Sequence, residues 1–233
     1  MSDKPFGNRF LDALSAEDRR VLAPRLRGAV LETDRIIIDQ GAPVDEVHFP
    51  VDAQLANQVR FADGRAIETA VVGREGVSGL APFMADTICA WEVVVRLGGR
   101  CHVIEAQVLR SLSEERPTLM RRLLALTDFY QTQACQTAAC NALHQVLPRV
   151  ARWMLTARDL AEGDRIRFTQ EELARLLGSQ RSTVSEAAHR LKRRALIDYR
   201  RGQILIRDRA GLEAVACDCY ELLRAKMAEV GLD

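Results

Sequence analysis

The sequence predicts an α+β protein with an N-terminal β domain, a long central helix and a C-terminal domain of short helices and strands. Short apolar runs separated by glycines extend from residue 28 to about 104, which is typical of an antiparallel sandwich or barrel. From Pro117 onward, apolar and small residues recur at spacings of three and four, as in a coiled coil. Residues 168–206 then contain two amphipathic helical segments around a glycine turn, followed by a hairpin pattern. The predicted domains are residues 1–116, 117–147 and 148–233.

The bulk composition is that of a globular protein. The chain has 233 residues, of which 48% are hydrophobic and 28% charged, and its formal net charge is +1. No apolar stretch approaches about 18 residues, and no basic and apolar leader opens the chain. We therefore expect a cytoplasmic protein with no membrane partner. Six cysteines in such a chain are expected to be reduced thiols and not a disulfide framework.

The N-terminal region predicts one or two short helices and then a series of strands. Residues 9–28 have helical apolar spacing, with Ser15 as a cap. Strand-like runs occupy residues 35–38, 47–49, 58–61, 69–72 and 91–95. The glycine-rich segment 73–79 lies among these runs and does not open a strand–helix unit. We therefore interpret it as a turn and not as a dinucleotide-binding loop.

The long helical pattern begins at Pro117, because proline is tolerated at a first helical position. It runs to about Leu160, and Pro148 interrupts it where we expect a hinge. The spacing predicts a parallel dimer across this helix, with interface positions Met120, Leu124, Thr127, Gln131, Ala134 and Ala138. A second apolar set widens the stripe toward the β domain: Leu123, Leu126, Phe129 and Tyr130.

Residues 169–191 have the pattern of a helix-turn-helix. Thr169 and Glu172 form a capping box at the start of the first helix, and Gly178 ends that helix where a left-handed residue is needed. A second helix starts near Arg181. Its apolar face consists of Val184, Ala187, Ala188 and Leu191. Two short helices joined by a tight glycine turn are typical of DNA-binding domains.

The second helix and the segment after it are basic. Between residues 181 and 201 the chain has seven Lys or Arg and two acidic residues, which suits a surface that faces phosphates. Residues 196–199 and 203–206 predict two strands around a glycine turn. A helix-turn-helix followed at once by a hairpin is a winged helix. The plain alternative is an amphipathic helical pair with a solvated basic face.

Several motifs of the C-terminal part occur together in one family. They are Thr169-Gln170-Glu171-x-Leu173-Ala174, Gly178-x-x-Arg181-x-Thr183-Val184-Ser185, Leu196-Ile197, and the tail from Tyr199 to Tyr220. This set resembles the Crp/Fnr superfamily of bacterial transcription regulators. The resemblance implies a double-stranded β-roll of the cyclic-nucleotide-binding type, a long dimerisation helix and a winged helix-turn-helix. It further implies a homodimer that binds palindromic double-stranded DNA and contacts RNA polymerase.

The resemblance also assigns roles to side chains of the helix-turn-helix. Arg181 matches the superfamily's base-contacting arginine, and arginine binds guanine through two hydrogen bonds. Base contacts are expected from Arg181, Ser182, Ser185 and Glu186. Phosphate contacts, which fix register without reading sequence, are expected from Thr169, Gln170, Thr183, His189, Lys192 and Arg201.

The sensory half departs from the members that bind cyclic nucleotides. Those members hold the ring phosphate with a Gly-Glu pair and an Arg-Ser pair, where this chain has Ser78-Gly79 and Cys89-Ala90. Ala134-Cys135 replaces their adenine-contacting Thr-Ser pair. Without a cation, a buried phosphate does not recover its desolvation, so we expect cAMP to bind weakly or not at all. The N-terminal cysteines of iron–sulfur members are also missing, because the first cysteine is Cys89.

No cofactor is predicted, and the effector stays unknown. Cys140 and His144 lie four residues apart, which is metal-ligand spacing on one helical face, and two copies across a dimer would supply four ligands. The alternative is a core cysteine beside a surface histidine. Cys135 and Cys140 point to different sides of their helix, so a redox bridge at Cys135 would need a second copy. Cys217 and Cys219 are expected on opposite sides of a final helix over 210–230.

Two functional hypotheses of different kinds follow from the sequence. The first is a DNA-binding regulator. The alternative is a thiol- or metal-responsive sensor whose winged helix contacts protein instead of DNA. An enzyme is not expected, because the sequence has no Ser/His/Asp order, no phosphate-binding loop and no paired carboxylates in a recognisable context.

Overall fold

A computed structural model describes residues 6–160, 165–167, 170–200 and 203–232. The N-terminal domain begins with helices α1 (Arg9–Asp12) and α2 (Ala16–Leu22) and a 3-10 turn at Ala23–Arg25. Ser15 caps α2 as predicted, because its side chain accepts a hydrogen bond from the backbone N–H of Asp18. Apolar side chains of both helices join the core of the β domain.

The strands of the β domain are antiparallel and form two layers. They are β1 (Arg27–Leu31), β2 (Ile36–Ile38), β3 (Glu46–Pro50), β4 (Gln54–Arg60), β5 (Ala66–Val72), β6 (Glu92–Leu97) and β7 (Gly99–Glu105). One sheet has the order β1-β7-β3 and the other β2-β6-β4-β5. Each predicted run overlaps a strand. Strands β1 and β7, which pair with each other, lie outside the predicted runs. The predicted turn is confirmed, since the Gly76 N–H donates to the Gly73 carbonyl.

Helices α3 (Leu80–Ala85) and α4 (Ala106–Glu115) precede the long helix α5 (Pro117–Leu143). Pro117 is the first residue of α5, as predicted. The side of α5 that faces the β domain is fully buried at Leu119, Leu123, Leu126 and Phe129. Within the described ranges, no helix is both long and apolar enough to cross a membrane.

The break after the long helix comes earlier than predicted. Helix α5 ends at Leu143, and α6 spans Val146–Asp159, with His144 and Gln145 in extended conformation between them. We call these two residues the hinge. Pro148 lies in the first turn of α6, where a backbone N–H has no partner within the helix in any case, so it does not interrupt a helix.

The C-terminal domain has the predicted winged arrangement. Its helices α7 (Gln170–Leu176) and α8 (Arg181–Arg193) follow strand β8 (Arg165–Arg167), and β9 (Ile197–Arg200) and β10 (Gln203–Ile206) come next. The strands form one sheet in the order β8-β10-β9. Strand β8 was not predicted, because three residues carry no readable alternation. The proposed cap Thr169 lies outside the described residues.

The prediction of one final helix over residues 210–230 was wrong. The chain forms α9 (Arg209–Glu213) and α10 (Cys219–Glu229), with a bend between them. Arg209 Nη2 donates to the Tyr220 hydroxyl at 2.6 Å, and both side chains bond to the Asp159 carboxylate. Residues eleven apart would be about 16 Å apart along a straight helix, so these contacts require the bend.

Candidate nucleic-acid interface

The turn between α7 and α8 is closed by backbone hydrogen bonds. The Leu177 N–H donates to Leu173 O at 3.0 Å, and the Ser179 N–H donates to Ala174 O at 3.0 Å. Gly178 has a φ of +56°, the left-handed conformation that glycine adopts without a steric penalty. Gln180 is extended, so α8 begins at Arg181 as predicted.

Helix α8 separates its apolar and polar side chains cleanly. The predicted apolar face is buried at Val184, Ala187, Ala188 and Leu191. Among the predicted base-contacting residues, Arg181, Ser182 and Glu186 are exposed and Ser185 is half-buried. The first two turns of α8 therefore present guanidinium, hydroxyl and carboxylate groups on an accessible surface, which are the groups that bond to base edges.

The predicted phosphate-contacting residues have different surroundings. Thr183 and His189 are exposed on α8. Lys192 is also exposed, but its ammonium forms an ion pair with Asp198 of β9 at 3.1 Å. Arg201 and Thr169 lie outside the described residues, as does the side chain of Gln170. The last turn of α8 is basic at Arg190, Lys192 and Arg193.

The β domain contacts the C-terminal domain through α6 and α7. The Arg96 guanidinium of β6 lies 5.1 Å from the Trp153 ring of α6 and is paired with Glu68. Burial lowers the pKa of Arg96 to about 9, and Glu172 of α7 acts in the opposite direction. A cavity of about 950 Å³ separates β4 and β5 from α7 and the start of α8, and Arg181 is among its lining residues. This packing leaves the polar side of α8 exposed.

Residues 148–215 match the family model of the Crp-like helix-turn-helix domain. The match covers 68 of the 233 residues, so it concerns this region and not the whole chain. FixK2 from Bradyrhizobium japonicum is similar over 82% of this chain and 98% of its own, with 19% identity and a TM-score of 0.73. CLP, a c-di-GMP responsive global regulator from Xanthomonas campestris, is similar over 82% and 99%, with 16% identity and a TM-score of 0.67.

A CRP/FNR-family transcriptional regulator from Thermus thermophilus is similar over 82% of this chain and 98% of its own, with 18% identity and a TM-score of 0.64. No curated protein matches the chain. At these identities the structural likenesses establish the fold. The chain therefore contains a region that matches the Crp-like helix-turn-helix domain, within a fold similar to that of these solved regulators.

Helix α5 forms direct hydrogen bonds with the backbone of the β domain. The Val77 N–H donates to the Tyr130 hydroxyl at 3.0 Å, and the Val71 N–H donates to Gln133 Oε1 at 3.0 Å. A Cβ at position 76 would lie 1.8 Å from the Tyr130 hydroxyl oxygen, so this contact requires glycine there. Ser78 and Gly79 precede α3, and both are buried.

The predicted dimer positions lie on the side of α5 away from the β domain. Leu124 is 51% exposed, Gln131 and Ala138 are exposed, and Met120, Thr127 and Ala134 are half-buried. Helix α10 packs against a third side of α5: Arg122 Nη1 donates to Val230 O at 2.8 Å, and Lys226 pairs with Asp128 at 2.7 Å. Within the described residues, the predicted interface therefore keeps exposed surface at Leu124, Gln131 and Ala138.

The predicted pair of Cys140 and His144 belongs to a larger cluster. Their ligand atoms and those of Cys217 and Cys219 all lie within 4.8 Å of one another. The further partners come from the same chain and not from a second copy. Cys217 precedes α10 and does not lie on it, so the expectation that Cys217 and Cys219 face opposite sides was wrong. Cys135 is exposed and lies outside this cluster.

Proposed function

We propose that the protein is a homodimeric transcription regulator that binds a palindromic site in double-stranded DNA. The observation that carries this proposal is the accessible polar side of α8 in a Crp-like helix-turn-helix domain. A helix in this position enters the major groove, where each base pair presents a distinct pattern of donors and acceptors. Two copies read two half-sites about 34 Å apart, which is one turn of B-DNA.

Base recognition rests on the first two turns of α8. Arg181 bonds to a guanine through two hydrogen bonds, and Ser182, Ser185 and Glu186 read neighbouring base edges. Thr183, His189 and Lys192 contact phosphates, together with Thr169, Gln170 and Arg201. The Lys192–Asp198 ion pair competes with one of these phosphate contacts, so Lys192 contributes less than a free lysine.

Dimerisation rests on the uncovered side of α5. Its positions repeat every three or four residues from Met120 to Ala138. The described part of the chain leaves half of the Leu124 side chain exposed to solvent. A second copy of α5 would cover this leucine and bring small residues at Ala134 and Ala138 into close helix–helix contact. The polar Gln131 sets the register of the pair.

The effector is not cAMP in this proposal. The segments that hold the ring phosphate in cyclic-nucleotide members carry Ser78-Gly79 and the buried Cys89 instead. Tyr130 and Gln133 of α5 bond directly to the backbone of the β domain. RNA polymerase is the expected partner of the DNA-bound dimer, and the cytoplasm is its expected location.

Selection of binding sites from random duplex DNA, followed by gel shift on the selected sequence, tests the proposal. We expect an inverted repeat with half-site centres about 10 base pairs apart, bound by one dimer. The alternative sensor whose winged helix contacts protein predicts no enrichment and no salt-dependent DNA binding. That result would contradict the proposed function.

A further inference from the structure

The hinge between α5 and α6 lies beside a cluster of thiols that the DNA-binding proposal does not use. Cys140 is in the last turn of α5, and the N–H of His144 in the hinge donates to its carbonyl at 3.0 Å. Cys217 lies in the bend between α9 and α10, and Cys219 is the first residue of α10. The three cysteines are buried and form a separate core cluster, while the His144 side chain is one-third exposed.

The distances within the cluster suit one metal ion. Cys140 Sγ lies 3.6 Å from Cys217 Sγ, and Cys219 Sγ lies 3.4 Å from His144 Nδ1. A tetrahedral zinc site with Zn–S of about 2.3 Å and Zn–N of about 2.0 Å holds its ligand atoms about 3.5–3.8 Å apart. The widest separation, 4.8 Å, is about 1 Å outside this range and would have to close when an ion binds.

We propose that Cys140, His144, Cys217 and Cys219 bind a single Zn²⁺ ion in a tetrahedral site. Three sulfur ligands and one imidazole are a combination typical of structural zinc. With all four positions filled by protein, the site is closed and not catalytic. A disulfide would use two of the sulfur atoms and would leave the convergence of Cys219 and His144 without a cause.

The charged surroundings of the cluster suit metal-bound thiolates, because two guanidinium groups lie next to it. Arg149 and Arg152 are both buried beside the cluster. They offset the net negative charge that three thiolates and one Zn²⁺ would carry.

Further side chains orient the ligands. Gln136 Nε2 donates to Cys219 Sγ at 3.0 Å. His144 Nε2 lies 3.6 Å from Asp218 Oδ1, while Nδ1 is the ring nitrogen that faces Cys219 Sγ. Metal-binding histidines commonly donate their second ring nitrogen to such a group.

The spacing and type of the ligands also distinguish a site for a single ion from a site for an iron–sulfur cluster. In an iron–sulfur cluster the protein ligands are divided between two or more iron atoms, so some of them must lie farther apart than the 4.8 Å within which all four ligand atoms fall here. The preference for Zn²⁺ over a harder cation such as Mg²⁺ follows from the sulfur ligands.

Bound zinc would link α5 to the C-terminal domain at the hinge. It joins the end of α5 to the segment before α10. Arg149 of α6 extends the connection, because its Nη2 donates to Asn141 Oδ1 at 2.7 Å and to the carbonyl of Leu177 at the end of α7. The ion would therefore fix the orientation of the domain that carries α8. This consequence rests on the proposed function, whereas the binding of zinc does not.

The experiment is metal analysis of the full-length protein, purified without a tag under reducing conditions and without added metal. Elemental analysis should give one zinc per chain. After removal by a chelator, Co²⁺ should restore one ion per chain with the intense visible bands of tetrahedral thiolate coordination. Cys135→Ser, on the same helix but outside the cluster, should retain both signals. Cys140→Ser and Cys219→Ser should lose them.

His144→Ala provides a variant at a partly exposed position, where the fold is expected to survive, and it should also lose the tetrahedral Co²⁺ spectrum. A wild-type protein that gives no such spectrum would overturn the proposal, and so would retention of the ion in Cys140→Ser. An iron–sulfur chromophore bleached by dithionite, or a Cys140–Cys217 disulfide without metal, would overturn it as well. These readouts involve no DNA, so they fail or succeed independently of the regulator proposal.

Discussion

Helices α5 and α8 each bury one side against the protein's own core, but their accessible sides differ in chemistry. The open side of α5 has Leu124, 51% exposed, and the small residue Ala138. The open side of α8 has Arg181, Ser182 and Glu186. An exposed leucine in a coiled-coil repeat is stabilised by a second helix, whereas guanidinium and hydroxyl groups bond to base edges. The chemistry left uncovered on each helix thus indicates a different partner: another copy for α5 and DNA for α8.

The largest expected effect is that of a charge in the middle of the α5 surface. Leu124→Asp should weaken dimerisation by more than roughly a hundredfold, because two leucines lose burial worth about 1.5–3 kcal/mol each and two carboxylates face each other. Sedimentation equilibrium measures the change, and DNA affinity should fall with it. Leu222→Asp is the control, since Leu222 of α10 is 46% exposed but lies off this surface. If the two substitutions weakened dimerisation equally, the exposed side of α5 would not be the dimer interface.

The next effect concerns the open side of α8. Arg181→Ala should reduce affinity for the selected site by about 1–3 kcal/mol, roughly 5- to 150-fold, and relax specificity at one position of each half-site. Binding to unrelated duplex should change little. Fluorescence anisotropy on matched and single-substituted sites measures both, with Arg20→Ala of α2 as the exposed-arginine control. If all duplexes were weakened alike, Arg181 would be a phosphate contact.

A smaller effect is expected on the buried side of α5. Tyr130→Phe leaves the buried Val77 N–H without its acceptor, which should cost about 1–3 kcal/mol of the free energy of unfolding. The urea midpoint should fall while the dimer constant stays as in the wild type. A changed dimer constant with an unchanged midpoint would mean that the two sides of α5 are not independent.

The smallest effect separates phosphate contacts from base contacts on α8. Lys192→Ala should weaken all duplexes alike and reduce the slope of log affinity against log salt by at most about 1. The reduction should be smaller than for an unpaired lysine, because Asp198 already neutralises the ammonium. Titrations at several salt concentrations give the slope, and a loss confined to one sequence would show that Lys192 reads a base.

Periodicity along single helices could be predicted from the sequence, because it needs no knowledge of distant residues. Val184 and Leu191 of α8 are buried where the 3.6-residue repeat puts them, and Gly178 adopts the left-handed conformation that ends α7. Pro117 begins α5 for the same local reason.

Contacts between distant segments could not be predicted in this way. Cys140 and Cys217 are 77 positions apart, and their approach depends on the bend after α9. That bend brings Arg209 and Tyr220 together on Asp159, a set of contacts that no local pattern contains. A straight final helix was the simplest interpretation of the apolar spacing over residues 210–230. It placed Cys217 and Cys219 on opposite sides of that helix, whereas the fold brings both into one cluster.

Methylation interference on the selected site tests most directly whether α8 reads DNA. Methylation at guanine N7 blocks the major-groove atom that an arginine contacts. We predict that one modified guanine in each half-site, with the two guanines related by the dyad, prevents binding of the wild type but no longer affects Arg181→Ala. Interference at no guanine, or an identical pattern for both proteins, would contradict the placement of α8 in the major groove.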